Sequence, residues 1–252
     1  MNNKQTVELF SGTGSFSQVA LKLGYQIKTY DIATHADELV EGTHTTCDIL
    51  DRSIDYPKRP FILWASPPCT GFSVASIGHH WHKETREPKT ETAKLGLAIL
   101  ERTVELIRIL KPQYWFIENP RAMMRKKIEY VLNKYDYSIN QDFFLHDPDQ
   151  FLIEGMPSSS SLFETSYEQV WQKTITYCQY GEERMKPTDI WTNCWFWESR
   201  PPCKYGQDCH VSAPRGSSTG TQGIKGNRER SRIPLELFDE IFSHINLRKD
   251  KE

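Results

Sequence analysis

The chain of 252 residues is expected to be an α/β protein with a doubly wound, mostly parallel sheet. Three observations predict this. Short apolar runs alternate with stretches of helical periodicity over the first 145 residues, as strands joined by crossover helices require. The first run passes into its helix through a glycine-containing turn, Ser11-Gly-Thr-Gly14. Polar residues able to do chemistry stand where the runs stop, and open α/β sheets bind ligands outside the carboxyl ends of their strands.

The elements follow in order. Residues 6–10 form the first strand, and Phe16, Val19, Ala20 and Leu23 then recur at helical spacing up to Gly24. Residues 26–31 and 45–49 predict a second and third strand. Residues 61–65 are a fourth, stopped by Pro67 and Pro68, whose fixed φ and missing N–H cannot continue a central strand. A long amphipathic helix follows with Leu95, Ala98, Ile99, Thr103, Leu106 and Leu110 on one face, closed by Pro112. Residues 114–118 are a fifth strand. Met124, Ile128, Val131 and Leu132 mark another helix, and residues 137–144 and 170–177 two further strands.

Residues 185–231 carry many Pro, Gly, Trp, Cys and Arg with little periodicity, and predict a loop-rich insert. Leu235, Phe238, Ile241, Phe242 and Ile245 then predict a closing helix with a charged tail. The expected organisation is a main domain over 1–184, an insert over 185–231 and a returning helix over 232–252.

A formal net charge of −2 argues against wholesale coating of nucleic acid and leaves room for a local basic face. No apolar run approaches the roughly 20 residues of a membrane span. The polar start Met-Asn-Asn-Lys-Gln does not resemble a secretory leader. The six cysteines are therefore expected as reduced thiols in a cytoplasmic protein.

The strand ends supply candidate site residues. Gly12 and Gly14 permit close backbone approach to a ligand, although tight turns alone also require glycine. No third glycine stands at dinucleotide spacing and no Gly-Lys-Ser/Thr follows, so a pyrophosphate is not the natural ligand. Asp31 and Asp48 suit hydroxyl or amine groups, or simply cap turns. Together they favour a nucleoside-bearing ligand without phosphates. Cys69 follows the Pro-Pro turn; a lone cysteine is most often a small buried hydrophobe, but this one is placed at a sheet edge. Glu118 comes directly after four apolar residues, an environment that raises a carboxyl pKa and suits a proton donor.

Glu8-Leu-Phe-Ser-Gly-Thr-Gly14, Ser66-Pro-Pro-Cys-Thr-Gly-Phe-Ser73 and Ile117-Glu-Asn-Pro120 appear in order and at suitable separations. In these motifs the chain resembles the cytosine-C5 DNA methyltransferases, closely over residues 5–145 and more loosely over residues 177–193 and in the final helix. The resemblance implies a Rossmann-like methyltransferase fold that uses S-adenosylmethionine. It implies that Phe10, Gly12, Gly14 and Pro67 line the cofactor, that Asp31 holds its ribose, and that Asp48 holds its adenine. It further implies Cys69 as the nucleophile at C6 of a cytosine flipped out of double-stranded DNA, and Glu118 as the acid at N3. Tyr177-Cys-Gln-Tyr-Gly181 and Arg184-Met-Lys186 resemble a later family motif, which implies Arg184 at the cytosine carbonyl; Lys186 stands where a second arginine is usual. Residues 73–92, with His79, His80, His82, Lys83, Arg86 and Lys89, correspond to the family's loop over bound DNA, or to a plain solvated loop.

Cys194, Cys203, Cys209 and His210 offer a Cys₃His set suited to structural zinc in a segment too loop-rich to hold itself together, with unliganded thiols as the alternative. Trp191, Trp195, Phe196 and Trp197, with Arg200, Lys204, Arg215, Lys225, Arg228, Arg230 and Arg232, surround them and suggest a small DNA-recognition subdomain. The chain is thus expected to be a monomeric DNA cytosine-C5 methyltransferase of prokaryotic or viral type, with or without a restriction partner. A tRNA cytosine methyltransferase and a catalytically silent nucleic-acid-binding module are the alternatives.

Overall fold

The structure is a computed structural model of the full chain; it describes residues 4–33, 43–73, 77–140, 168–204, 206–212 and 226–249. Its centre is an eight-stranded sheet in the order β3-β2-β1-β4-β5-β8-β7-β6. The strands are β1 (Gln5–Leu9), β2 (Gln26–Asp31), β3 (His44–Thr46), β4 (Ile62–Ala65), β5 (Tyr114–Pro120), β6 (Tyr137–Ile139), β7 (Glu168–Thr176) and β8 (Pro187–Thr192). All run parallel to one another except β8, which is antiparallel to both of its neighbours, β5 and β7.

The central strands are buried on both faces, so their sequences are continuous apolar runs rather than alternating ones. In β4 and β5, Leu63, Ala65, Trp115 and Ile117 point into one core, while Ile62, Trp64 and Phe116 point into the other. The helices are α1 (Ser15–Lys22), α2 (Ile77–His80), α3 (Glu91–Leu110), α4 (Met124–Asn133), α5 (Asn227–Ser231) and α6 (Leu235–Lys249); α3 and α4 cover the first core, and α1 and α6 the second. The ring of Phe16 on α1 lies 5.6 Å from that of Phe238 and 5.4 Å from that of Phe242, which seals α6 onto the sheet. Helices on both faces make the fold doubly wound, as expected. Among the described residues, no helix is long and apolar enough to cross a membrane.

Three differences from the sequence expectation have physical causes. The insert does not start at residue 185, because residues 187–192 are β8, in the middle of the sheet. Its polar side chains hid it: Asp189 is buried against Arg125, and the Thr192 hydroxyl donates to the Trp115 carbonyl at 2.6 Å. The buried face of α3 holds Thr103, Leu106 and Leu110 as expected but takes in Leu100, Val104 and Ile107 as well, whereas Leu95 is 52% exposed. Gly96 lies on this buried side, where a Cβ would stand 3.1 Å from the Phe72 ring. The strand expected over 137–144 is β6, three residues long, and residues 141–144 lie outside the described residues.

Candidate active site

At the end of β1 the chain turns sharply, with Phe10, Gly12 and Gly14 at φ of 59°, 47° and 67°. Glycine suits the latter two positions because an L side chain rarely adopts this left-handed region. The amides of Phe10 and Ser11 both donate to the Tyr30 carbonyl, at 2.8 and 3.3 Å. The next amide, that of Gly12, donates to Asp31 Oδ2 at 2.8 Å, and that of Ala33 to Asp31 Oδ1 at 2.9 Å. Each carboxylate oxygen of Asp31 thus takes one backbone donor and keeps a second acceptor site. Asp48 is exposed and accepts from the Leu50 amide at 2.9 Å. The Ser11 hydroxyl is buried with no partner among the described residues. Acceptors for hydroxyls, an unused hydroxyl and no lysine or arginine in the turn fit the nucleoside-bearing, phosphate-free cofactor that the motifs imply.

In the strand adjacent to β1, β4 ends and Pro67 and Pro68 turn the chain out to Cys69, whose residue is exposed. Asn119, at the end of the neighbouring β5, donates from Nδ2 to the Pro67 carbonyl at 2.8 Å and so pins the turn. On the far side Thr70–Phe72 forms a 3-10 turn; the Phe72 amide donates to the Cys69 carbonyl at 2.9 Å, and Trp81 Nε1 to the Gly71 carbonyl at 2.6 Å. Trp81 is 1% exposed, so part of the 73–92 segment is packed into the core; residues 74–76 lie outside the described residues. His80 bonds the Thr90 hydroxyl through Nδ1 at 2.7 Å.

Glu118 is buried in β5. Its Oε1 accepts from the Tyr177 hydroxyl at 2.9 Å, and Ser66 also bonds its carboxyl. Burial pushes its pKa above the ordinary carboxylate value, against the opposing pull of Lys186, Tyr177 and Ser66. Lys186 is the cation of this centre. Its ammonium lies 4.4 Å from the centre of the Tyr177 ring and donates to the Arg230 carbonyl at 3.2 Å. Burial lowers its pKa, while Glu118 and Cys69 pull it back up. The Cys69 thiol is pushed up by its dense surroundings and by Glu118, and drawn down chiefly by Lys186. Lys186 holds φ at 27°, an uncommon value for a residue with a side chain.

Arg184 lies beside this centre, its guanidinium 5.9 Å from the centre of the Tyr177 ring, but it is engaged by the protein. It is 3% exposed, and its five N–H donors meet Glu182 Oε2 twice and the carbonyls of Glu229, Arg230 and Arg232, all at 3.0–3.1 Å. No donor of its fork is left for a base. Tyr177, Ser66 and Asn119 stand in the motifs quoted from the sequence, which gave their side chains no role; in the structure they contact Glu118 or the Pro67 turn. Only their position at strand ends could have signalled those contacts.

The cysteine-rich segment also differs from expectation. Cys203, Cys209 and His210 do come together, but their fourth companion is Cys178; Cys194 is fully buried in the core beneath α6, where the Trp197 amide donates to its carbonyl at 3.2 Å. Trp191 and Trp197 are likewise core residues, and Arg200 is held by Glu236 and Glu240. Trp195 is 55% exposed. Arg215 and Lys225 lie outside the described residues, as does the side chain of Arg228.

The molecule is thus an α/β protein with a doubly wound sheet that carries a thiol, a buried carboxyl and an ammonium at one edge, beside a glycine-containing turn. The chain belongs to the C-5 cytosine-specific DNA methylase family, whose model matches residues 5–142. It is 30% identical over 140 residues to a probable DNA (cytosine-5)-methyltransferase of Frog virus 3 (isolate Goorha), covering 53% of this chain and 61% of that protein. It is 25% identical over 177 residues to the Type II methyltransferase M.AplI of Arthrospira platensis, covering 66% of this chain and 46% of that protein. The chain therefore spans less than two thirds of the length of either relative. Solved structures similar to it include the Entamoeba histolytica methyltransferase EhMeth (TM-score 0.44, 14% identity, 81% of this chain and 58% of that one). The S. pombe Dnmt2 methyltransferase is another (TM-score 0.40, 14% identity, 75% and 48%).

Proposed function

We propose that the protein transfers a methyl group from S-adenosylmethionine to C5 of cytosine in double-stranded DNA. The observation that carries this reading is the convergence of Cys69, Glu118 and Lys186: ends of two adjacent parallel strands and the start of the reversed one, acting electrostatically on one another. When bound, the cofactor supplies an electrophilic methyl on a sulfonium. Asp31 holds the ribose through its two remaining acceptor sites, the Phe10–Gly14 turn carries the adenosine and methionine parts, Asp48 meets the adenine amine, and Pro67 lines the same cleft.

Cys69 attacks C6 of the ring as the thiolate, forming the S–C6 bond while Glu118, protonated because it is buried, donates to N3. The ring's π electrons are thereby delivered to C5, which becomes the nucleophile that would take the methyl of the bound cofactor, whose sulfonium would leave as a neutral thioether. Loss of the C5 proton to a base or water then expels Cys69 as the S–C6 bond breaks, and N3 returns its proton. Lys186 favours the thiolate before attack and faces the same carboxyl that protonates the ring. With Arg184 fully engaged by the protein, Lys186 is the cation available to the cytosine carbonyl, as a point charge rather than a fork. The reacting atoms lie within the base stack, so the cytosine must be extruded.

The test is transfer of labelled methyl from S-adenosylmethionine to cytosine-containing duplex DNA, with tRNA assayed in parallel. Cys69→Ser is expected to abolish it. Normal labelling by that variant would sink the covalent mechanism, and labelling of tRNA alone would move the substrate to RNA.

A further inference from the structure

We propose that Cys178, Cys203, Cys209 and His210 form a structural zinc site that fastens the segment following β8 to the end of β7. Their ligand atoms all lie within 4.8 Å of one another. Cys203 Sγ and Cys209 Sγ stand 3.6 and 3.7 Å from His210 Nδ1, and Cys178 Sγ stands 3.7 Å from Cys209 Sγ and 3.0 Å from Cys203 Sγ. A tetrahedral zinc with Zn–S of about 2.3 Å and Zn–N of about 2.1 Å requires S–S edges of about 3.8 Å and S–N edges of about 3.6 Å. Three of these four distances fall on such edges, and the fourth needs one sulfur to move by less than an ångström. The 3.0 Å pair is well beyond a disulfide bond of about 2.05 Å, and both thiols are free.

The ligands are not a local motif, since Cys178 precedes Cys203 by 25 residues. They are brought together by contacts that do not involve a metal. The Cys203 amide donates to the Thr176 hydroxyl at 2.8 Å, and the Val211 amide donates to the Glu183 carbonyl at 2.9 Å. Gln179 Nε2 donates to Cys209 Sγ at 3.3 Å, a contact of the kind that orients and stabilises a metal-bound thiolate. On binding, three thiols release three protons as three Zn–S bonds form, and His210 binds as the neutral imidazole, so the site carries a net charge of −1.

The site also has a reason to exist where it does. Between β8 and α6 the regular structure among the described residues is the five-residue α5 (Asn227–Ser231), too little to bury a core of its own. Cys178 adjoins Tyr177, which bonds Glu118, and the clamp closes over the stretch that leads to Arg184 and Lys186. Zinc would therefore act as a positioning element for the reactive centre without touching a substrate.

The full chain, purified without chelator, is expected to carry about one zinc per molecule by plasma mass spectrometry. Cobalt(II) exchanged into it is expected to show the intense visible bands and thiolate charge transfer of a tetrahedral S₃N site. Cys178→Ser should reduce zinc affinity by roughly tenfold or more, whereas Cys194→Ser should leave it unchanged. Where Cys178→Ser does not fold, the cobalt spectrum of the unaltered protein decides. Absence of stoichiometric metal together with absence of the cobalt bands would overturn the proposal. A native Cys178–Cys203 disulfide, or loss of zinc with Cys194→Ser but not with Cys178→Ser, would do the same. These readouts are independent of methyl transfer.

Discussion

Replacing Glu8 by glutamine should make the protein more stable above neutral pH and leave it little changed in acid. Glu8 is 3% exposed, in β1 beneath the cofactor turn, and its Oε2 accepts from the Ser17 amide at 3.1 Å and from the Ser17 hydroxyl. Burial pushes its pKa from 4.5 up to about 7, with Asp31 adding a smaller push the same way. A carboxyl whose folded pKa lies above its unfolded value contributes stability that is present in full below the unfolded pKa. That contribution is lost as pH rises through the folded pKa. The gap of about 2.5 units, at about 1.4 kcal/mol per unit, corresponds to about 3 kcal/mol lost between about pH 4.5 and pH 7. Glutamine keeps an acceptor for Ser17 and cannot ionise. The stability of E8Q minus that of the wild type should therefore rise by about 3 kcal/mol across that window and be flat above it. Urea unfolding followed by tryptophan fluorescence from about pH 4 to pH 8.5 measures this, and subtracting the two proteins cancels every other titration. A difference that is flat across the window, or that falls, would refute the assignment of a neutral Glu8.

Two further substitutions probe the site and its support. Lys186→Met removes the cation that draws down both Cys69 and Glu118, so alkylation of Cys69 by iodoacetamide should shift to higher pH and methyl transfer should fall by about 10²–10³-fold. An unmoved alkylation profile would mean that Lys186 does not act on the thiol. Arg125→Met strands Asp189, which is 0% exposed and accepts from Arg125 at 2.6 and 2.8 Å. The cost should be about 3–5 kcal/mol in urea unfolding, and adding Asp189→Asn should recover part of it, because the buried charge then goes too.

Those two sites also show what was legible in the sequence and what was not. The ends of β4 and β5 could be read directly, because these strands, buried on both faces, are unbroken apolar runs that stop abruptly at Pro67 and at Glu118, and the ends of β1 and β2 were marked by Gly12 and by Asp31. Cys69 and Glu118 stand out by their position at those stops. β8 could not be read that way: Thr188, Asp189 and Thr192 are buried polar residues whose partners, Arg125 and the backbone of β5, come from distant elements. Cys178 was equally hidden, since a ligand set closed across 25 residues leaves no local spacing to recognise. Arg184 was misplaced for the same reason; its fork is filled by carbonyls of residues 229, 230 and 232, which no local pattern announces.

The strand that the sequence concealed is the one that completes the centre. Parallel strands deliver the residues at their carboxyl ends to one edge of the sheet, as β4 and β5 deliver Cys69 and Glu118. β8 is reversed, so at that same edge it presents its beginning rather than its end. Its pairing with β7 matches Thr176 with Pro187, and the Tyr177 amide then donates to the Met185 carbonyl at 2.9 Å, so the next residues outward are Tyr177 and Lys186. One carries the hydroxyl that holds Glu118, and the other the ammonium that acts on both Glu118 and Cys69. The reversed strand thereby adds a cation to an edge that parallel strands alone furnish with a thiol, an acid and, from the end of β7, a hydroxyl. The same reversal leaves the chain beyond β8 emerging at the opposite edge. It must travel back over the protein to bring Cys203, Cys209 and His210 to Cys178, which is where a metal clamp has the most to hold.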